Sequence, residues 1–165
     1  MKKVLFTICA AAIALAFTGC KEEEQSKLDL NALKGTTLVK GTVYYTVADK
    51  DGDYEIKAAS GKNVYLNLIY NGEVVKTLGP VTTNSRGEYT FDKLPCNENI
   101  GVSVEAYVSF EEENYDYDFD KGKWVLKNFL FQGLEDGSLT PNWEAILDIY
   151  LNSGSLVNPL DEILM

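Results

Sequence analysis

The chain has 165 residues, 45% of them hydrophobic, and 25 acidic against 15 basic side chains give it a formal charge of −10. That balance argues against nucleic acid and against docking on anionic lipid headgroups, and it is compatible with cations or neutral glycans. With no histidine and only three cysteines, Ser-His-Asp and Cys-His nucleophilic sites, histidine metal ligands and a structural zinc site are excluded.

Met1-Lys2-Lys3 is a short positive start, followed by an uncharged apolar run from Val4 to Phe17 and then Thr18-Gly19-Cys20. The run is shorter than the roughly 20 residues a membrane span needs, so residues 1–19 read as a secretory signal peptide. Without Lys2 and Lys3, 13 basic residues face 25 acidic ones, a formal charge of −12. Residues 20–36 lack apolar periodicity and read as a flexible tether, although Leu28, Leu30 and Leu33 are spaced for one helical turn.

The domain proper reads as residues 37–152. Leu38 to Val47 is rich in Thr, Val and Tyr and reads as a strand. Asp49-Lys50-Asp51-Gly52-Asp53 is a turn, with Tyr54 to Ala58 returning as its hairpin partner. Val64 to Tyr70 is a second strand, and Asn71-Gly72 predicts a type I′ hairpin to Glu73–Leu78, which Gly79-Pro80 should break. Asn84-Ser85-Arg86-Gly87 is turn chemistry; Tyr89 and Phe91 then alternate with polar residues until Leu94-Pro95 should end the strand. Val102, Val104, Ala106 and Val108 alternate within Ile100–Phe110, a half-buried strand. Tyr115 to Phe119 alternates too, Lys123 to Phe131 returns, and Gly133 to Gly137 reads as a loop. Asn142 to Leu151 fits a helix or a strand, and a closing strand is expected because a sandwich of hairpins needs its edge covered. Residues 153–165 read as a tail, mostly loop, with Leu160 to Met165 available to pack down.

Three pieces carry a family resemblance: Lys40-Gly41-Thr42-Val43, Ser60 to Leu68, and Thr82 to Pro95 with its Thr-Thr-x-x-x-Gly-x-Tyr-x-Phe-x-x-Leu-Pro pattern. In this order they resemble carboxypeptidase regulatory-like and collagen-adhesin B-type domains. The resemblance implies an all-β, Ig- or transthyretin-like Greek-key sandwich of about seven to nine strands, used as a stalk or binding module. Phe17-Thr18-Gly19-Cys20 resembles a bacterial lipobox with Phe17 in place of the usual Leu, which implies lipidation at Cys20 and an outer-membrane anchor. Lys21-Glu22-Glu23-Glu24 is similar to the surface-export signal of Bacteroidetes lipoproteins, although any polar tether would look alike. Cys9 leaves with the signal and Cys20 takes lipid. Cys96 is then alone and reads as a small buried hydrophobe, so no intramolecular disulfide is expected.

Candidate chemistry is sparse. Paired carboxylates for glycoside hydrolysis stay open among so many acids, but short-looped hairpins leave little room for a cleft, and the chain reads as no enzyme with no cofactor. Asp49, Asp51 and Asp53 resemble a calcium loop without the EF-hand spacing; a weak calcium site competes with a plain hairpin turn. The stretch from Glu111 to Asp120, with Glu111, Glu113, Tyr115, Asp116, Asp118 and Asp120, joins Trp124 and the Asp49–Asp53 turn as an acidic and aromatic candidate patch, or else is a solvated strand face over buried aromatics. Trp124 and Trp143 with the tyrosines offer a sugar-stacking platform, or core. The reading is a surface-exposed, lipid-anchored binding module for a glycan or a protein partner; the alternative is a stalk or assembly subunit of a surface complex.

Overall fold

The computed structural model describes residues 28–157. The signal, Cys20, most of the tether and the Leu160–Met165 tail lie outside the described residues. Ten strands form two packed sheets, the all-β sandwich expected, with more strands than the seven to nine anticipated. One sheet is built on β1 (Gly35–Ala48), which pairs with β2 (Tyr54–Ala58), β5 (Glu88–Cys96), β8 (Glu144–Ile146) and β9 (Ile149–Leu151). The other has the order β10-β7-β6-β3-β4, with β3 (Asn63–Tyr70), β4 (Glu73–Thr82), β6 (Val102–Asp118), β7 (Lys123–Leu139) and β10 (Ser155–Leu156).

Alternation built the core as read. Tyr89 and Phe91 are buried, as are Val102, Val104, Ala106 and Val108, and they meet Val39, Val43, Leu66, Leu68 and Phe131 between the sheets. Cys96 is fully buried and free, and burial raises the pKa of its thiol. Asn71 and Gly72 both take positive φ, 52° and 79°, the type I′ turn the dipeptide demands. Gly87 (φ 75°) closes the Asn84–Glu88 turn, where the Asn84 side chain accepts from the N–H groups of Arg86 and Glu88.

Several boundaries differ from expectation. β1 begins at Gly35, inside the segment read as tether, and Leu33 is buried after a 3-10 turn at Leu30–Ala32, so residues 28–36 pack on the domain. Gly79-Pro80 does not break β4. The register with β3 slips between Val64 and Leu66, so Gly79 and Pro80 together face Tyr65 in a bulge on an edge strand. Pro95 does not end β5 for a similar reason: Asp92 and Lys93 (φ 54°) bulge opposite Leu38, and pairing resumes at Leu94. Gly133 to Gly137 is not a loop but the C-terminal part of β7, where a Cβ would run into Leu151 at Gly133 and Leu147 at Gly137. The two strands read around Glu111–Glu113 are a single 17-residue β6.

The closing strand exists, but in two pieces and parallel to β1. β8 pairs with Leu38–Lys40 and β9 with Val43–Tyr45. Between them the Leu147 N–H donates to the Lys40 carbonyl, and the Asp148 carboxylate accepts from the Thr42 N–H at 2.7 Å. The Leu147 carbonyl lies against Gly41 and accepts from the buried Tyr89 hydroxyl. A Cβ at Gly41 would overlap that carbonyl, which is backbone and cannot rotate aside. Gly41→Ala should therefore cost about 3 kcal/mol, the upper end for overpacking. Urea unfolding measures it; a loss within about 0.5 kcal/mol, the usual surface range, would mean β8 and β9 do not dock at Gly41.

Candidate aromatic site at the distal pole

β1 is 14 residues long, so the turn after Ala48 lies roughly 40 Å from Gly35 at about 3.3 Å per residue. The chain enters at the Gly35 end. The far pole is therefore remote from the segment that leads into Gly35.

Two hairpins meet there. The Asp49 carboxylate accepts from the N–H groups of Asp51 (2.8 Å) and Asp53 (3.0 Å), and Gly52 takes φ 89°, which sets a tight β1–β2 turn. Trp124, across from Tyr117 in the β6–β7 ladder, packs on that turn: a Cβ on Gly52 would lie 2.6 Å from the indole. Tyr54 meets Trp124 edge-on at 6.3 Å, Tyr117 meets it at 5.7 Å, and Phe119 meets Tyr117 at 5.1 Å. Such edge-to-face contacts suit the ring quadrupoles. Yet Tyr54 is 71% exposed and Phe119 is 88% exposed. A core cluster would bury them, so this group faces outward.

The acids divide. Asp118 accepts from the N–H groups of Asp120 and Lys121 and pairs with the Lys121 ammonium at 2.9 Å, which lowers its pKa, the Lys121 side-chain hydrogen bond first. Asp49 is also held low, chiefly by the N–H of Asp53 and then of Asp51. Asp116 pairs with Lys127 at 2.7 Å. Asp51, Asp53 and Asp120 are exposed around the aromatic cluster.

The structure thus brings Trp124 and the Asp49–Asp53 turn together, as read, with Asp118 and Asp120 close by in the hairpin. It does not bring in Glu111 and Glu113, six and four residues back from Tyr117 along β6 and opposite Leu130 and Asn128. Tyr115 sits opposite Leu126, two pairs below Tyr117 and Trp124. Tyr54 is the member that sequence reasoning missed, although it directly follows the turn and was within reach of the hairpin reading; Tyr117 and Phe119 fall inside the Glu111–Asp120 stretch but were not singled out. The calcium reading of Asp49, Asp51 and Asp53 is not supported. Asp49 is committed to capping its own turn, and among the described residues no group of three acidic or thiol ligands converges on one point.

No family model and no curated protein sequence matches the chain. Among solved structures, a "putative carbohydrate binding protein" from Pseudomonas aeruginosa, determined at 2.61 Å, aligns at 18% identity over 69% of this chain and 88% of its own, with a TM-score of 0.37. A likeness that low bears on neither fold nor ligand.

Millimolar calcium should leave the melting midpoint where chelator leaves it. A stabilisation near the 2.7 kcal/mol that a folded-state site gives at about 100 times its dissociation constant would restore the metal reading.

Proposed function

We propose that the chain is a lipid-anchored, non-catalytic binding module that engages a neutral glycan through the aromatic pole. Cys20 supplies the anchor at the outer membrane, and the sandwich carries the aromatic pole outward from the cell. The observation that carries the reading is the group of exposed Tyr54, Tyr117 and Phe119 around a half-buried Trp124, at the end of the domain remote from Gly35. Pyranose rings have one apolar C–H face and an edge of hydroxyls. Tyrosine and tryptophan rings accept the face, and the carboxylates of Asp51, Asp53 and Asp120 accept from the hydroxyls. The formal charge of −10 repels anionic polymers.

Catalysis finds little support. A glycosidase acid needs a carboxyl pKa pushed up, whereas the displaced carboxylates, Asp49, Glu88 and Asp118, are all displaced downward by hydrogen bonds and lysine or arginine neighbours. A second reading, a surface protein as partner, is favoured by Phe119. It has no polar atom, stands at a hairpin tip and is almost wholly exposed, as an anchor for a partner's groove would be.

The test is a glycan array with the full-length chain in a detergent that lacks a sugar headgroup. Tyr54→Ala should weaken the hits at least tenfold, about 1.4 kcal/mol, with an unchanged melting midpoint. Unchanged hits would contradict the assignment. Loss of a captured surface protein on Phe119→Ser, with no glycan bound, would select the second reading. Neither ligand would leave a stalk.

A further inference from the structure

The other tryptophan stands at the opposite pole, beside a cleft that the aromatic site does not use. Thr140-Pro141-Asn142-Trp143 closes a turn: the Trp143 N–H donates to the Thr140 carbonyl at 3.2 Å, and Asn142 takes φ 64°. Proline second and asparagine at positive φ third is type II turn chemistry. The Trp143 carbonyl accepts from the Thr37 hydroxyl, and Glu144 then enters β8 and pairs with Lys40. Backbone and neighbours are thus held, yet the indole is 74% exposed. Leu147, Ile149 and Leu151 already cover the core from this segment, so packing does not require an indole at this position.

Across β1 the Asp92–Lys93 bulge faces the same space. Lys93 is held at φ 54°, and the Asp92 carboxylate accepts from the Lys93 N–H at 2.8 Å. Bulges re-aim side chains beside functional sites. Turn and bulge together enclose a cleft of about 290 Å³ with Trp143, Asn142, Glu144, Asp92, Lys93 and Thr36 on its walls. The charges balance: Asp92 and Glu144 against Lys93 and Lys40.

We infer that this cleft is a second, independent glycan site that takes a single uncharged pyranose ring. The indole offers an apolar face for the C–H side of the ring. Asp92, Asn142 and Glu144 accept from its hydroxyl edge, and Lys93 donates to it. The balanced charge disfavours sulfated or uronic sugars, and the volume suits one ring rather than a chain. Because Thr36 and Asp49 lie toward opposite ends of β1, the two sites cannot share one ring. The inference rests on the cleft alone and survives if the distal site binds protein.

The experiment titrates methyl glucoside, methyl galactoside, methyl mannoside and N-acetylglucosamine into the full-length chain, in a detergent without a sugar headgroup, and reads tryptophan fluorescence. At least one sugar should change the emission of Tyr54→Ala, in which the distal site is disabled. In that background Trp143→Ala should abolish the response, and Asp92→Asn should weaken it at least tenfold, both with unchanged melting midpoints. A Tyr54→Ala protein silent to all four sugars overturns the inference. So does a response that survives Trp143→Ala in that background. Dimerisation that depends on Trp143 in sedimentation would also overturn it, by assigning the exposed indole to a second copy.

Discussion

The sandwich depends on the point where the Leu147 carbonyl enters the side of β1. Gly41 leaves room for it, the Tyr89 hydroxyl donates to it, and the Asp148 carboxylate next door takes the Thr42 N–H that would otherwise lack a partner. A parallel strand running straight past Gly41 would keep its carbonyl in the ladder. Here the chain steps inward, so the closing segment becomes β8 and β9. The step sends Leu147, Ile149 and Leu151 into the core, where each buried side chain contributes roughly 1.5–3 kcal/mol. It also explains two glycines far away in sequence: Gly137 makes space for Leu147 and Gly133 for Leu151. Tyr89 belongs to the turn stretch at Thr82–Pro95, so this one carbonyl joins the middle of the chain to its end.

The same β1 orients both candidate sites. Its length separates the poles, and each pole is finished by a local device. At the distal end, Gly52 lets the turn lie flat on Trp124. At the other end, the β5 bulge and the Asn142 turn stand on either side of β1 and leave Trp143 outside. Neither tryptophan serves the core centre, which is filled by aliphatic side chains with Phe131, Phe91 and Tyr89. Tyr54 and Phe119 at one pole and Trp143 at the other are left outside the packing, which is the physical basis for the proposed binding role.

Much of the fold was legible because it is local. Alternation placed Tyr89, Phe91 and Val102 to Val108 in the core, and Asn71-Gly72 announced its hairpin. Three of the failures share one cause. Gly79-Pro80, Leu94-Pro95 and Gly133–Gly137 carry the residues that end strands, and each lies within one, because a bulge or a packed neighbour supplies what local chemistry denies. Trp143 shares a parity with Ala145 and Leu147, which suggests an inward ring, but the turn before it breaks the alternation. At the candidate site, the charge and Trp124 were readable. So was the joining of Trp124 to the Asp49–Asp53 turn; the place of Tyr54, 70 residues from Trp124 in the sequence, was not.

The central claim, that Tyr89 holds the Leu147 carbonyl inside the sandwich, is tested most directly by the pH dependence of stability. Burial first, then Asp148 and Glu135, raise the Tyr89 pKa well above its ordinary 10.0. A group raised in the folded state stabilises fully below its unfolded pKa and loses that contribution as pH climbs through the native value. Above about pH 10 the unfolded chain can release this proton while the folded one keeps it. Urea unfolding from pH 7 to 11.5 should show wild-type stability falling above pH 10. Tyr89→Phe should be weaker by about 1–3 kcal/mol at neutral pH, with a shallower alkaline fall. Equal stability of the two proteins at pH 7, with the same alkaline slope, would contradict the account.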